Sequence, residues 1–213
     1  MLSDSGRKRI GVLGGTFDPI HYGHLVAAEE ARELLGLMKV IFVPSGHPPH
    51  KAADDMTDGE HRWAMTVLAT QDNPRFEVSR IELDRPDVSY TVDTLRLLQE
   101  RMPETELYFI TGADMFLELP TWKEPETILR SFHFVAVARP GWSLERLDDR
   151  LRLLIERYRC HVHILNVPGI AVSSTEIRDR LRAGRSVQYL VPTPVVEYIL
   201  QKGLYGIRVG RSG

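Results

Sequence analysis

A length of 213 residues, 43% of them hydrophobic and 26% charged, is typical of one or two globular domains and argues against a disordered or fibrous chain. With 27 basic residues against 29 acidic ones, the net charge of -2 argues against a general nucleic-acid binder. The lone Cys160 excludes an intrachain disulfide, and no apolar run approaches the ~18 residues of a membrane span, so we expect a cytoplasmic protein without a membrane partner.

Short apolar runs alternate along the chain with longer stretches of helical period. Strands are predicted at residues 9–13, 39–43, 76–83, 106–111, 132–138 and 161–167. Helices are predicted at residues 25–35, 60–70, 92–101, 125–130, 144–159, 174–183 and 193–201. This alternation predicts an α/β fold with a doubly wound parallel sheet and helices on both faces. We expect one domain over residues 1–206, with a C-terminal helical part from about residue 171, and a tail at 207–213.

Glycine, histidine and hydroxyl residues recur directly after the predicted strands. The segments concerned are residues 14–24, 44–51, 111–114, 139–141 and 168–178. In an open α/β sheet, ligands bind at the carboxyl ends of the strands, near the point where the strand order reverses. The pattern therefore predicts one cleft shared by these segments.

Residues 14–24 read GGTFDPIHYGH and combine a glycine pair with two histidines. Gly14 and Gly15 let the main chain approach a ligand, while His21 and His24 share one face at the start of a helix. A helix N-terminus favours phosphate, so we expect an anion site here. A tight turn with incidental histidines and a histidine metal pair are the alternatives. No dinucleotide fingerprint or P-loop is present, and no third metal ligand lies nearby in sequence.

Residues 173–178 read SSTEIR and start another predicted helix. Ser173 and Glu176 match a capping box, a common helix start that requires no ligand. Ser174 and Thr175 add hydroxyls, and Arg178 can donate two hydrogen bonds to phosphate oxygens. A bare cap and a phosphate site are about equally supported by this segment alone. Its position at a strand end favours a clamp that grips a polyphosphate together with the histidine pair.

Three further segments each have a structural and a functional interpretation. Residues 47–51 (HPPHK) are a solvated loop or a set of cations that includes Lys51. Residues 89–94 (SYTVDT) are a polar cap, or amides at Tyr90 and Thr91 that receive a ligand carboxylate. Trp122 belongs to the core or stacks on a flat ring.

The segments at 14–24 and 173–178 together resemble the signature pair of the nucleotidyltransferase superfamily. The motifs PPHK (48–51), SYT (89–91), TGAD (111–114) and ARPG (138–141) and Trp122 extend the resemblance. From about residue 9 to 206, the chain is similar to the bacterial nicotinate mononucleotide adenylyltransferases. The resemblance implies a Rossmann-like fold. It also implies transfer of the adenylyl group of ATP to nicotinate mononucleotide, with Mg²⁺, to give deamido-NAD and pyrophosphate.

The resemblance also implies roles for individual residues, without a metal ligand among them. The catalytic residues would be His21, His24 and Arg178. The ATP-binding residues would be Gly14, Gly15, Thr16, Phe17, Gly112, Asp114, Arg139, Ser174 and Thr175. The residues for the second substrate would be Lys51, Tyr90, Thr91 and Trp122. The oligomeric state is left open by the sequence, with a homo-oligomer among the alternatives.

Two other functions remain as alternatives. Another adenylyl- or cytidylyltransferase of the superfamily, such as the pantetheine-phosphate enzyme, is disfavoured by chain length, by the SYT motif and by Trp122. A non-catalytic module that senses nucleotides is disfavoured by the intact histidine pair and by Arg178.

Overall fold

A computed structural model of the chain describes residues 6–49, 56–138, 153, 155–167 and 172–207, with only the main chain at 114, 116 and 117. Lys51, Arg139 and most of the helix predicted at 144–159 lie outside these residues, as does all of the tail beyond residue 207. Within the described part of the chain, no helix is long and apolar enough to cross a membrane.

Six parallel strands form one sheet in the order β3-β2-β1-β4-β5-β6. They are β1 (Lys8–Gly15), β2 (Lys39–Pro44), β3 (Phe76–Val78), β4 (Thr105–Gly112), β5 (His133–Ala138) and β6 (Val162–Asn166). The chain builds outward from β1 to β3 and then returns to place β4 on the other side of β1. The strand order therefore reverses between β1 and β4, where such folds bind ligands. The predicted parallel, doubly wound sheet is confirmed.

Helices cover both faces of this sheet. Those with described bounds are α1 (Tyr22–Leu35), α2 (Gly59–Thr70), α3 (Thr91–Arg101), α4 (Ala113–Glu118), α5 (Pro125–Ser131), α6 (Ser174–Arg182) and α7 (Thr193–Lys202). Residues 155–158, within the helix predicted at 144–159, are helical too. Successive residues of β4 point to opposite faces, as in any strand. Phe109 joins the core beneath α3 and α5, whereas Ile110 joins the core beneath α1, α6 and α7. The candidate site lies at the carboxyl ends of the strands, where the turns between strands and helices meet.

The third strand is shorter than predicted, and α4 is an additional helix. Strand β3 ends at Val78 and does not continue to residue 83. Beyond it the main chain turns, with the N–H of Asp84 donating to the carbonyl of Arg80 at 2.9 Å. The Arg80 side chain is paired with Glu60 and Asp84, which stabilises that turn instead of a strand. Helix α4 is absent from the predicted helices, because six residues are too few to show a helical period.

Candidate active site

The turn between β1 and α1, residues 16–21, ends at the predicted catalytic residue His21, and the second predicted catalytic histidine, His24, follows in the first turn of α1. A Cβ atom on Gly15 would lie 2.8 Å from the Phe17 ring, closer than real Cβ atoms approach. Phe17 itself has a φ of 50° and a fully buried side chain. Gly15 is therefore required by the packing of the turn, a reason that the sequence did not reveal. Gly14 is exposed at the strand end, where a ligand can approach its main chain.

The rings of His21 and His24 stack with their centroids 3.7 Å apart, which confirms that they share one face. The main-chain N–H of His21 donates to Nδ1 of His24 at 3.2 Å. Because Nδ1 accepts, a neutral His24 carries its proton on Nε2, so that atom is a donor even without a net charge. The Phe17 ring packs edge-on against His24 at 5.1 Å and supports this orientation. The pair thus offers a fixed donor beside the N-terminus of α1.

Helix α6 is fastened to the same turn. The hydroxyl of Ser173 accepts the N–H of Glu176 at 3.1 Å, which confirms the predicted N-cap, while the Glu176 carboxylate pairs with Arg180. The hydroxyl of Ser174 donates to the carbonyl of Pro19 at 2.9 Å. Side chain to main chain bonds therefore bring the N-termini of α6 and α1 together.

Arg178 lies directly against the turn. Its Nη1 donates to the carbonyl of Asp18 at 2.7 Å, and its Nη2 donates to the hydroxyl of Thr175 at 3.3 Å. One guanidinium, two imidazoles and two helix N-termini thus meet at residues 14–24. All of them favour anions, as a polyphosphate site requires.

Arg62 is a buried charge beneath the turn that was not predicted as a site residue. The residue is only 2% exposed, and its guanidinium donates to the carbonyls of Thr16 at 2.9 Å and Thr57 at 2.8 Å. Burial lowers its pKa, and the nearby carboxylate of Asp18 opposes that change. The three-residue spacing of Arg62 and Met65 places both on one face of the predicted helix, but it does not identify the carbonyls that Arg62 binds.

Asp18 completes this buried arrangement. Its carboxylate accepts the hydroxyl of Tyr205 at 2.7 Å and the N–H of Thr57 at 3.2 Å. Burial and the adjacent Asp18 raise the pKa of Tyr205, so its hydroxyl remains a donor. The chain after α7 is thereby joined to the turn, which fixes the position of the histidine pair from below.

The N-terminus of α3 carries two of the residues predicted for the second substrate. Tyr90 is its N-cap and Thr91 its first residue. Trp122 packs against Phe109 with ring centroids 6.2 Å apart, and Lys123 places Nζ 4.6 Å from the centre of the Tyr90 ring. The structure therefore brings the segment carrying Trp122 against Tyr90, while leaving Trp122 partly in the core.

The remaining predicted residues are placed less completely. Gly112 ends β4 at the same edge of the sheet, and the main chain of Asp114 follows in α4. Lys51 and Arg139 lie outside the described residues. Over the part of the chain that is described, no three His, Cys, Asp or Glu side chains are arranged to hold a metal ion. The donors at this edge are imidazole, guanidinium and helix N-terminal groups, which fit phosphate oxygens.

Comparison with known proteins agrees with this geometry. Residues 12–180 match the cytidylyltransferase-like family. The chain is 54% identical over 202 residues to a probable nicotinate-nucleotide adenylyltransferase of Moorella thermoacetica, covering 94% of this chain and 93% of that protein. The chain is 48% identical over 200 residues to the protein of the same name from Desulfitobacterium hafniense DCB-2, covering 94% of this chain and 97% of that protein.

A solved structure shares the fold at low sequence identity. It is the Plasmodium falciparum nicotinic acid mononucleotide adenylyltransferase complexed with NaAD, with a TM-score of 0.79 and 20% identity. The match covers 95% of this chain and 99% of that one. The likeness therefore extends over the whole α/β architecture.

Proposed function

The chain belongs to the cytidylyltransferase-like family and, within it, to the nicotinate-nucleotide adenylyltransferases, and from this premise we propose how its site works. The enzyme transfers the adenylyl group of ATP to nicotinate mononucleotide, a step of NAD biosynthesis. The observation that carries the proposal for the site is the meeting of His21, His24 and Arg178 at the turn between β1 and α1.

The reaction needs positioning more than acid–base chemistry. The nucleophile is a phosphate oxygen of nicotinate mononucleotide, which is mostly ionised near pH 7 because its second pKa is ~6. It attacks the α-phosphorus of ATP, a new P–O bond forms, and the bond to the β-phosphate breaks to release pyrophosphate. Neither a general base nor a covalent enzyme intermediate is required. The protein aligns the two phosphates and neutralises developing charge.

The turn and α6 perform this task on the phosphates of ATP. His24 donates from Nε2 to a phosphate oxygen, and His21 stacks against it to polarise the same group. Main-chain groups of residues 14–17, the exposed Gly14 first among them, line the phosphate path. Arg178, with Ser174 and Thr175 at the N-terminus of α6, holds the β- and γ-phosphates, which become the leaving pyrophosphate. Gly112, Asp114 and Arg139 serve the nucleoside side, and Lys51 binds phosphate.

The N-terminus of α3 receives the pyridine ring. Main-chain amides at Tyr90 and Thr91 bind the carboxylate of the pyridine. The aromatic side chains of Tyr90 and Trp122 contact the pyridine ring and hold it in place. A helix N-terminus stabilises an anion more than a neutral amide. This difference gives the acid substrate its advantage over nicotinamide mononucleotide.

Mg²⁺ fits this scheme as a partner of ATP. The imidazole, guanidinium and amide groups at the carboxyl edge are anion donors and suit phosphate oxygens. Hard oxygen ligands suit Mg²⁺, so phosphate oxygens and water would hold the ion, which enters with ATP as substrate. A cytoplasmic location without nucleic-acid or membrane partners stays a prediction from composition.

The experiment that tests this function follows both products and one labelled atom. The protein is incubated with MgATP carrying ¹⁸O in the α–β bridge and with nicotinate mononucleotide. We expect deamido-NAD and pyrophosphate in equal amounts, with the label in pyrophosphate. Label retained on the adenylate would contradict attack at the α-phosphorus. ATP binding without either product would support a nucleotide-sensing module instead.

A further inference from the structure

Glu82 is a buried carboxylate between the segment that follows β2 and the N-terminal part of α3. One carboxylate oxygen accepts the N–H of Gly46 at 3.2 Å, and the other accepts the hydroxyl of Thr94 at 2.7 Å. Glu82 is 9% exposed and Thr94 is 3% exposed. Burial raises the pKa of Glu82, and its bonds to Thr94 and Gly46 oppose that rise. A buried carboxylate with both oxygens engaged fixes its partners closely, because each lost bond would leave a desolvated group.

The same two segments are joined again beside Glu82. The N–H of Ser89 donates to the carbonyl of His47 at 2.9 Å, and the N–H of His47 approaches the hydroxyl of Ser89 at 3.4 Å. A Cβ atom on Gly46 would lie 2.3 Å from the main-chain oxygen of Glu82. Gly46 and His47 therefore pack tightly against Glu82 and Ser89, in the segment that leads into α3. None of these contacts belongs to the sheet or to a helix ladder, so they specify where α3 begins relative to the carboxyl edge.

We propose that Glu82 is a positioning residue that holds the first turn of α3, with Tyr90 and Thr91, in place to receive the pyridine carboxylate. The inference rests on the proposed function of that helix N-terminus. Thr94 transmits the restraint, because its hydroxyl also lies 3.3 Å from the carbonyl of Tyr90. Glu82 contacts Thr94 and Gly46 and acts on the substrate only through them.

Two substitutions separate hydrogen bonding from charge. In Glu82→Gln, the oxygen of the new side-chain amide can accept the N–H of Gly46. The NH₂ group of the same amide can donate to the Thr94 hydroxyl, which then donates its own proton to the carbonyl of Tyr90. We therefore expect the KM for nicotinate mononucleotide to stay within about threefold of the unaltered enzyme. Glu82→Leu is similar in size and has no acceptor. Its KM for this substrate should rise on the order of tenfold to a hundredfold, because small displacements of positioning groups are costly.

The KM for ATP is the internal control, since the phosphate-binding turn is held by a different set of contacts. It should change by less than about threefold in both variants, because none of the side-chain bonds described for that turn involves Glu82. Thr94→Val should give a smaller rise in the KM for the mononucleotide. The double variant Glu82→Leu/Thr94→Val should be no worse than Glu82→Leu, because both remove one shared interaction. Glu77→Gln, an exposed carboxylate paired with Lys39, is the matched control and should behave as the unaltered enzyme.

The outcomes distinguish this inference from the proposed function. An active unaltered enzyme with an unchanged KM for the mononucleotide in Glu82→Leu would overturn the inference alone. Equal rises in both KM values, or a Glu82→Gln variant as impaired as Glu82→Leu, would overturn it too. An unaltered enzyme that makes no deamido-NAD would overturn the function and the inference together. If Glu82→Leu fails to fold, Thr94→Val decides by the same comparison of KM values.

Discussion

Stacked histidines occur at both ends of the sheet, in two regions that differ in the hydrogen bonds and in the surroundings of the rings. At the carboxyl edge, His21 and His24 stack at 3.7 Å beside a helix N-terminus. Toward the amino-terminal ends of β4 to β6, the His133 ring stacks on Tyr108 at 4.4 Å and on His161 at 5.1 Å, with His163 at 6.0 Å. We call His133, His161 and His163 the amino-edge cluster.

The difference lies in what each cluster faces. At the carboxyl edge a main-chain N–H bonds Nδ1 of His24, which leaves Nε2–H to donate, and Arg178 lies against the same turn. In the amino-edge cluster, the buried Nδ1 of His133 and Nε2 of His163 have no hydrogen-bond partner among the described residues. Burial, and then the neighbouring His161, lower the pKa of both rings. We propose that the pair at the carboxyl edge binds an anion, whereas the amino-edge cluster is packing whose burial disfavours protonation of His133 and His163.

The largest effect should come from His24→Ala. Removing a fixed donor to developing charge should lower kcat on the order of 10²–10³-fold. Steady-state pyrophosphate release measures it, with His163→Phe as the control from the amino-edge cluster. That control should leave kcat nearly unchanged. A normal kcat in His24→Ala, or an equal loss in both variants, would abolish the functional distinction between the two regions.

The next effect should come from Arg178→Lys. Lysine keeps the charge but loses the fork that contacts Asp18 and can grip phosphate, so kcat/KM for ATP should fall about tenfold to a hundredfold. The matched control is Arg182→Lys, an exposed arginine on the same helix that pairs with Asp179. If the two variants lose the same activity, the phosphate role of Arg178 is wrong.

The amino-edge cluster should make stability depend on pH. Because the pKa values of His133 and His163 are lowered in the folded protein, the unfolded chain binds more protons below its histidine pKa of ~6.5. The contribution of these two histidines to the free energy of unfolding should therefore be fully present above about pH 6.5 and should be lost as the pH drops below that value.

His133→Phe tests this pH dependence because it keeps a ring against Tyr108 but cannot titrate. Melting temperatures measured from about pH 7.5 to 5.5 should fall less in this variant than in the unaltered protein. An identical fall in both proteins would contradict the assignment.

The smallest effect concerns the helix that completes the carboxyl edge. Ser173→Ala removes the cap of α6 and should lower the free energy of unfolding by about 1 kcal/mol. Ser173→Asp, which introduces another good N-cap residue, should retain most of the stability that Ser173→Ala loses. Denaturant titration at constant pH measures both variants. An unchanged midpoint in Ser173→Ala would show that the bonds from Ser174 and Arg178 alone fix this helix.

Much of this contrast could be predicted from the sequence, because it depends on local patterns. The spacing of apolar residues predicts the strands, and the glycines mark where the strands end. Together they predict that His21, His24 and Arg178 lie at one edge of the sheet. Buried charges could not be assigned in the same way. Arg62 bonds the carbonyl of Thr16, and Glu82 bonds the N–H of Gly46, across 46 and 36 residues. Partners so far apart in the sequence are brought together only by the fold, so local sequence patterns do not identify them. The stacking of His133 and His163 likewise depends on which strands become neighbours.

We propose that the carboxyl edge joins ATP to an acceptor that is selected by its pyridine carboxylate. The most direct test is pyrophosphate release from MgATP with nicotinate mononucleotide, nicotinamide mononucleotide and pantetheine phosphate, each over a range of concentrations. We expect the highest kcat/KM with nicotinate mononucleotide, a lower value with its amide, and no release with pantetheine phosphate. A kcat/KM for nicotinamide mononucleotide or for pantetheine phosphate equal to or above that for nicotinate mononucleotide would contradict the account.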